Sequence, residues 1–198
     1  VAGAVLVGVS VAAALVVAAH PGPTRLDRWG FDAVAHSAGS ALLIRITDLG
    51  DPAVLVGGSI LAALVVVGRD RARALACVAG PLLAAVLVEL VFKPLVGRHF
   101  EGVLSYPSGS VADIAALATA WAVAVPPRVR PAVVGVGAVA AVAMAVAVTG
   151  LRWHYPTDAL GGAVLGVGTV LLVDGMLHHP RVGGRLRPVH RGGRSTQG

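Results

Sequence analysis

Six runs of apolar residues, 1–19, 52–67, 72–92, 109–125, 132–148 and 159–177, alternate with shorter polar stretches. A helix needs about 20 apolar residues to cross the hydrocarbon of a bilayer, and these runs approach that length. The pattern predicts an all-α polytopic membrane protein with six transmembrane helices. The first run has no basic start, and its nineteen residues exceed the roughly 7–15 of a signal-peptide core, so it reads as a span. Residues 20–51 are too polar to span. Within them, 29–46 read as a short amphipathic or partly buried helix between the first two spans, opened by the turn residues Pro21, Gly22 and Pro23. Gly162 and Gly166 form a GxxxG pair in the sixth run, which predicts a close helix contact. Residues 1–180 form one domain on this reading, followed by a basic, disordered tail over 181–198.

Composition strengthens the membrane reading. Of 198 residues, 56% are hydrophobic and 13% charged, with a mean hydropathy of +0.82, far from a soluble globular domain. The net charge of +6 is therefore read by position, as topology rather than as affinity for nucleic acid. Arg69, Arg71 and Arg73 join the second and third runs, and Arg128 and Arg130 join the fourth and fifth. Arg181, Arg185, Arg187, Arg191 and Arg194 follow the sixth. With six spans these all fall on one side, and the positive-inside rule makes it cytoplasmic, tail included. That tail is basic enough to be drawn to anionic lipid. The lone Cys77 excludes an internal disulfide. The excess of Ala, Val, Gly and Arg reflects a GC-rich genome rather than chemistry.

Two polar islands then fall on the opposite face. The first, 93–110 (KPLVGRHFEGVLSYPSGS), holds the only lysine, Lys93, followed by Arg98 and a Tyr-Pro-Ser-Gly turn opening the fourth run. Cations followed by small residues at a helix N-terminus are the equipment of an anion site. The second island, 149–158 (TGLRWHYPTD), adds Arg152, His154 and Asp158. Asp158 is spaced to accept a hydrogen bond from one ring nitrogen of His154, leaving the other free as nucleophile or base. Taken alone, His154 is equally well explained as a residue at a helix start capped by Thr157 or Asp158.

KPLVGR (93–98), YPSG (106–109) and HYPTD (154–158) together resemble the three segments of the type-2 phosphatidic acid phosphatase superfamily of membrane lipid phosphatases. The resemblance covers nearly the whole chain and implies six spans with both islands on one face. It implies His154 as the nucleophile that becomes a transient phosphohistidine, with Asp158 orienting it. Lys93, Arg98, Arg152 and the Ser108–Gly109–Ser110 turn would bind the phosphoryl oxygens. No metal or other cofactor is implied. The substrate would be a lipid phosphate or a polyprenyl diphosphate, met at the extracytoplasmic face of the inner membrane of a bacterial cell envelope. Such a site stabilises charge on the equatorial oxygens, for which several cations and aligned amides suit.

Three positions depart from the family pattern. Ser110 stands where the family has the histidine that protonates the leaving oxygen, help worth roughly 10²–10⁴ in rate; His99 is the nearby substitute candidate. Phe100 replaces an arginine, with Arg98 two positions earlier, and Val148 replaces another, with Arg152 closer to His154. These departures leave open a divergent active subgroup, an engineered variant, or a catalytically impaired lipid-phosphate binder or partner subunit. A transporter fits less well, because the polar groups gather at one face rather than at mid-membrane. More local readings accompany these. Ser110-x-x-Asp113 is a capping-box pattern. Glu89 can pair with Lys93 at i, i+4. Trp29 and Trp153 mark an interface. His36 packs or sits at the interface, and His178 and His179 bound the sixth run. Partners are membrane lipids and the lipid substrate, with no nucleic acid; the oligomeric state is left open.

Overall fold

The computed structural model describes residues 1–35 and 39–178. His36, His179 and the expected tail over 181–198 lie outside the described residues. The described chain is helical apart from one small hairpin: α1 (Ala2–Ala19), α2 (Arg25–Val34), α3 (Ser40–Thr47), α4 (Pro52–Val66), α5 (Arg71–Val86), α6 (Lys93–Val96), α7 (Gly109–Ala124), α8 (Arg130–Gly150) and α9 (Pro156–His178). A π-helical turn, Leu87–Phe92, links α5 to α6, so that one helical rod runs over Arg71–Val96.

Local chemistry explains the boundaries. Thr24 and Asp27 close a reciprocal capping box at the start of α2. The side chain of Asp51 caps α4, whose first residue is Pro52, and Asp70 caps α5 through the Arg73 N–H at 2.9 Å. α6 ends on Gly97 in the left-handed conformation, φ 63°. The amphipathic helix expected over 29–46 is corrected to two helices, because the Thr24 cap starts α2 earlier and extended Gly39 opens α3 anew. A single 3₁₀ turn, Asp48–Gly50, then carries α3 into α4 across a 50° bend.

Four helices among the described residues are long and apolar enough to cross a membrane: α1, the Arg71–Val96 rod, α8 and α9. The bent pair Ser40–Gly50 and Pro52–Val66 makes a fifth when counted as one span. α7 is apolar but only 16 residues long, about 24 Å at 1.5 Å per residue, against roughly 30 Å of hydrocarbon. It sits inside the bundle, where Ala112, Ala116 and Ala120 are fully buried.

α9 is the central helix and packs on α1, α5 and α7. Its closest approach to α7 depends on the predicted glycine pair. A Cβ on Gly162 would collide with the Ser108 carbonyl oxygen, and one on Gly166 with that of Ala112. The N-termini of α7 and α9 therefore lie side by side, which brings the two polar islands together. At the other end Arg73 lies 3.5 Å from Asp174, and His178 Nε2 lies 2.9 Å from the Asp70 carboxylate. The basic α4–α5 connection and the end of α9 thus share the end away from the islands.

Candidate active site

The two islands meet around a buried arginine. Arg98 is 1% exposed and uses all five of its guanidinium N–H groups within the protein. Nε donates to the Pro21 carbonyl at 3.0 Å. Nη1 donates to Thr157 Oγ1 and to Asp158 Oδ1, both at 2.7 Å. Nη2 donates to the Gly22 carbonyl at 3.1 Å and to Asp27 Oδ2 at 2.9 Å. The Tyr155 ring covers one face, with its centroid 3.9 Å from Cζ. Asp27 is itself fully buried and accepts from Thr157 through both N–H, at 2.9 Å, and hydroxyl, at 2.7 Å. Three segments distant in sequence, 21–27, Arg98 and 155–158, are clasped by this one cation. No N–H of Arg98 points to an open site.

Burial pushes the Asp27 carboxyl up, but hydrogen bonds from the Thr24 and Thr157 N–H groups, the Thr157 hydroxyl and Arg98 outweigh it. The carboxyl is held below its usual 3.8. A depressed carboxylate contributes stability above its unfolded pKa and loses it as pH falls through the folded value. The expected melting temperature in detergent is level from neutral pH to about 4 and drops in more acid solution. In Asp27→Asn the neutral-pH value falls and the acid drop shrinks; a pH series of thermal melts on both proteins checks this.

His154 is placed by a different partner from the one its spacing suggests. Its Nδ1 lies 2.8 Å from the Ser105 carbonyl oxygen and 3.8 Å from Asp158 Oδ2. Only the first is a hydrogen bond, and a carbonyl can only accept, so Nδ1 is the donor and, in the neutral imidazole, Nε2 keeps its lone pair. Ser105 is fixed in turn by Arg98, whose carbonyl accepts from the Ser105 N–H at 2.8 Å. Asp158 serves Arg98 and the Tyr155 N–H, at 3.0 Å, while its own carbonyl accepts from Ser108 N–H at 2.9 Å. The imidazole retains 15% side-chain exposure.

Arg152 adopts a left-handed backbone, φ 59°, uncommon for a residue with a long side chain. The Val148 carbonyl secures this turn by accepting from Trp153 N–H at 2.9 Å and His154 N–H at 3.2 Å. The guanidinium lies on the Phe31 ring, 4.3 Å from its centroid. Phe31, Phe100 and Tyr155 form a ring cluster, with Phe100 edge-on to Tyr155 at 4.6 Å. Phe100 thus packs against Phe31 and Tyr155. Val148 is fully buried in the core of α8.

Lys93 pairs with Glu89 at 2.7 Å, as their spacing predicts. Its Nζ also comes within 4.0 Å of the Cβ position of Gly109, the first residue of α7. That helix starts at Ser108 with no side-chain cap, and the buried Ser108 hydroxyl has no hydrogen-bond partner among the described residues. The capping box expected from Ser110 and Asp113 does not form, because the helix begins two residues before it. The first-turn N–H groups of α7 are therefore left uncapped beside an ammonium group, an arrangement that suits an anion. Ser110 faces Gly50 in the turn before α4. His99 lies exposed on the hairpin of His99–Phe100 with Val103–Leu104, its Nδ1 2.9 Å from the Gly97 carbonyl. Among the described residues no group of three or more His, Cys, Asp or Glu side chains is arranged to hold a metal ion.

Asp27 and Ser105 escaped the sequence reading, since neither lies in a recognisable motif. The Thr24-x-x-Asp27 pattern before a helix was the one available signal for Asp27, and it indicates a cap rather than an ion pair.

The chain matches no protein-family model and no curated protein. It is similar to a solved structure described as the first transmembrane PAP2 type phosphatidylglycerolphosphate phosphatase from Bacillus subtilis. The two share 23% identity and superpose with a TM-score of 0.66 over 88% of this chain and 95% of the other. With its central α9, its paired helix N-termini and both polar islands at one end, the chain has the fold of a PAP2-type membrane phosphatase.

Proposed function

We propose that the protein is a membrane lipid phosphatase in which His154 attacks phosphorus. The observation that carries this reading is the hydrogen bond from His154 Nδ1 to the Ser105 carbonyl, which in the neutral imidazole leaves the Nε2 lone pair unused. Nε2 forms a bond to phosphorus as the bond to the leaving oxygen breaks, giving a phosphohistidine. Water then attacks that intermediate and returns inorganic phosphate and free imidazole. Lys93, Arg152 and the N–H groups of Gly109 and Ser110 hold the phosphoryl oxygens, with the Ser108 hydroxyl alongside. Arg98 has no donor to spare, so its role is to clasp the loops and fix Ser105, with Asp158 as its counter-ion. These are positioning roles.

The proposed substrate is a polyprenyl diphosphate, with other lipid phosphates as the broader class. A phosphate leaving group depends less on an acid than an alkoxide does, which accommodates Ser110. In the membrane, α1, the α3–α4 pair, the α5–α6 rod, α7, α8 and α9 serve as six spans. The islands then face the extracytoplasmic side of the inner membrane and the Arg69–Arg73 end the cytoplasm.

Ser110 and the packing of Phe100 favour one second reading, an impaired enzyme that binds lipid phosphate without efficient turnover. Phosphate release from isoprenoid diphosphate and phosphatidate, by wild type and Ser110→His, separates the two. An active diphosphatase hydrolyses the isoprenoid substrate as wild type. An impaired enzyme gains about 10²–10⁴ in rate only when the histidine is restored. No release by either protein overturns the hydrolase reading.

A further inference from the structure

Two carboxyl groups, Glu89 and Asp113, stand beside the start of α7 without a part in the mechanism above. Glu89 belongs to the π-helical turn Leu87–Phe92, a form concentrated at functional sites, within a rod long and apolar enough to span a membrane. An ionisable side chain in such a segment calls for a partner and a task. Its Oε1 lies 2.7 Å from Lys93 Nζ and 2.8 Å from the Cβ position of Gly109. The carboxyl therefore sits at the same two residues proposed to hold the phosphoryl oxygens. With 52% of its side chain exposed, it is open to a ligand rather than packed away. Asp113 follows Gly109 by one turn of α7 and interacts electrostatically with both Glu89 and Lys93. Its Oδ1 is buried with no hydrogen-bond partner among the described residues. One ammonium group thus answers two carboxyls, and the trio is neutral only when one carboxyl holds a proton, the less costly state away from water.

We propose that Glu89 is the general acid of the reaction, giving its proton to the leaving oxygen and so admitting lipid phosphomonoesters whose leaving group is an alkoxide. The inference rests on the phosphatase reading above and supplies the task for which Ser110 is unsuited. A phosphate oxygen brought to Lys93 and the Gly109 N–H meets the Glu89 carboxyl at close range. Two anionic oxygens share such a place only with a proton between them, as paired carboxylates do. As His154 Nε2 bonds to phosphorus and the bond to the leaving oxygen breaks, that proton passes from Glu89 to the oxygen, and the lipid departs as a neutral alcohol. The carboxylate left behind takes a proton from the attacking water while the phosphorus–nitrogen bond breaks, which restores both the carboxyl and the free imidazole. His99, the other acid of the first island, is exposed on the hairpin with its Nδ1 committed to the Gly97 carbonyl.

The test uses the purified full chain in detergent with two lipid phosphates matched in tail, one losing an alkoxide and the other a nitrophenolate, which needs no acid. In Glu89→Gln, kcat for the alkoxide substrate falls about 10²–10⁴-fold, the usual worth of a general acid, while the nitrophenolate substrate changes by less than about tenfold. Glu89→Asp, which keeps a carboxyl, recovers part of the alkoxide rate, and both variants melt within a few degrees of wild type. An equal fall on the two substrates makes Glu89 a structural residue and overturns the proposal. A rise in rate or a lower KM in Glu89→Gln, the mark of a carboxylate that merely blocks the phosphate subsite, overturns it as well. So does a leaving-group split that appears in His99→Gln instead. Wild type that hydrolyses the nitrophenolate substrate alone sinks the acid and leaves the phosphatase reading standing; release from neither substrate sinks both.

Discussion

His154→Ala is expected to lose lipid-phosphate hydrolysis by about 10⁴-fold or more, the scale on which removal of a nucleophile abolishes covalent catalysis. The loss should fall on kcat, since the cations and the α7 N-terminus proposed to bind the phosphoryl group remain in place. Two companion measurements distinguish a lost nucleophile from a collapsed site. The variant should keep the wild-type melting temperature within a few degrees, because the imidazole makes one hydrogen bond and is partly exposed. It should also lose the acid-labile phosphorylated intermediate that the proposed mechanism expects of wild type on rapid quenching. Retention of full turnover by the purified variant would remove His154 from the mechanism.

The second large effect is expected at Arg98, on stability rather than on substrate binding. Arg98→Ala leaves Asp27 and Asp158 buried with no cation between them, and three carbonyl or hydroxyl acceptors without their donor. Breaking a buried ion pair from one side costs about 3–5 kcal/mol, a large share of the total stability of a domain. The variant should unfold many degrees lower in detergent or fail to accumulate. Arg98→Lys keeps a charge but supplies three donors in place of five, so it recovers only part of the loss. Had Arg98 been a phosphate ligand exposed to the site, the same change would raise KM and leave the melting temperature alone. Thermal melts beside Michaelis constants for the two variants decide between these outcomes.

Much of the architecture is legible in the chain because its chemistry is periodic or local. Helix positions follow from apolar runs, the close α7–α9 crossing from Gly162 and Gly166, and the Glu89–Lys93 pair from one helical turn of spacing. The sequence reading is wrong where it treats 29–46 as one helix, because a capping box and an extended glycine, each a matter of a few atoms, outweigh the amphipathic pattern. It also misjudges the partner of Asp158. A separation of four residues brings Asp158 within 3.8 Å of the imidazole, yet the carboxylate is drawn to a guanidinium sixty residues away. A buried full charge makes the stronger demand, and sequence spacing does not report it.

By itself the sequence determined that this chain buries itself in lipid, that its basic residues divide between two ends, and that a lysine, two arginines and a histidine fall in two islands at the same end. Which of those cations stays open to a ligand was decided only in three dimensions. Arg98 looks like an anion ligand in the sequence and becomes a clasp in the fold, because Asp27, from the first turn of α2, arrives beside it. Arg152 is left on the face of an aromatic ring, and Lys93 beside the bare end of a helix. Charges in a low-dielectric interior are settled by whichever opposite charge comes within about 3 Å, and only tertiary packing brings such partners together.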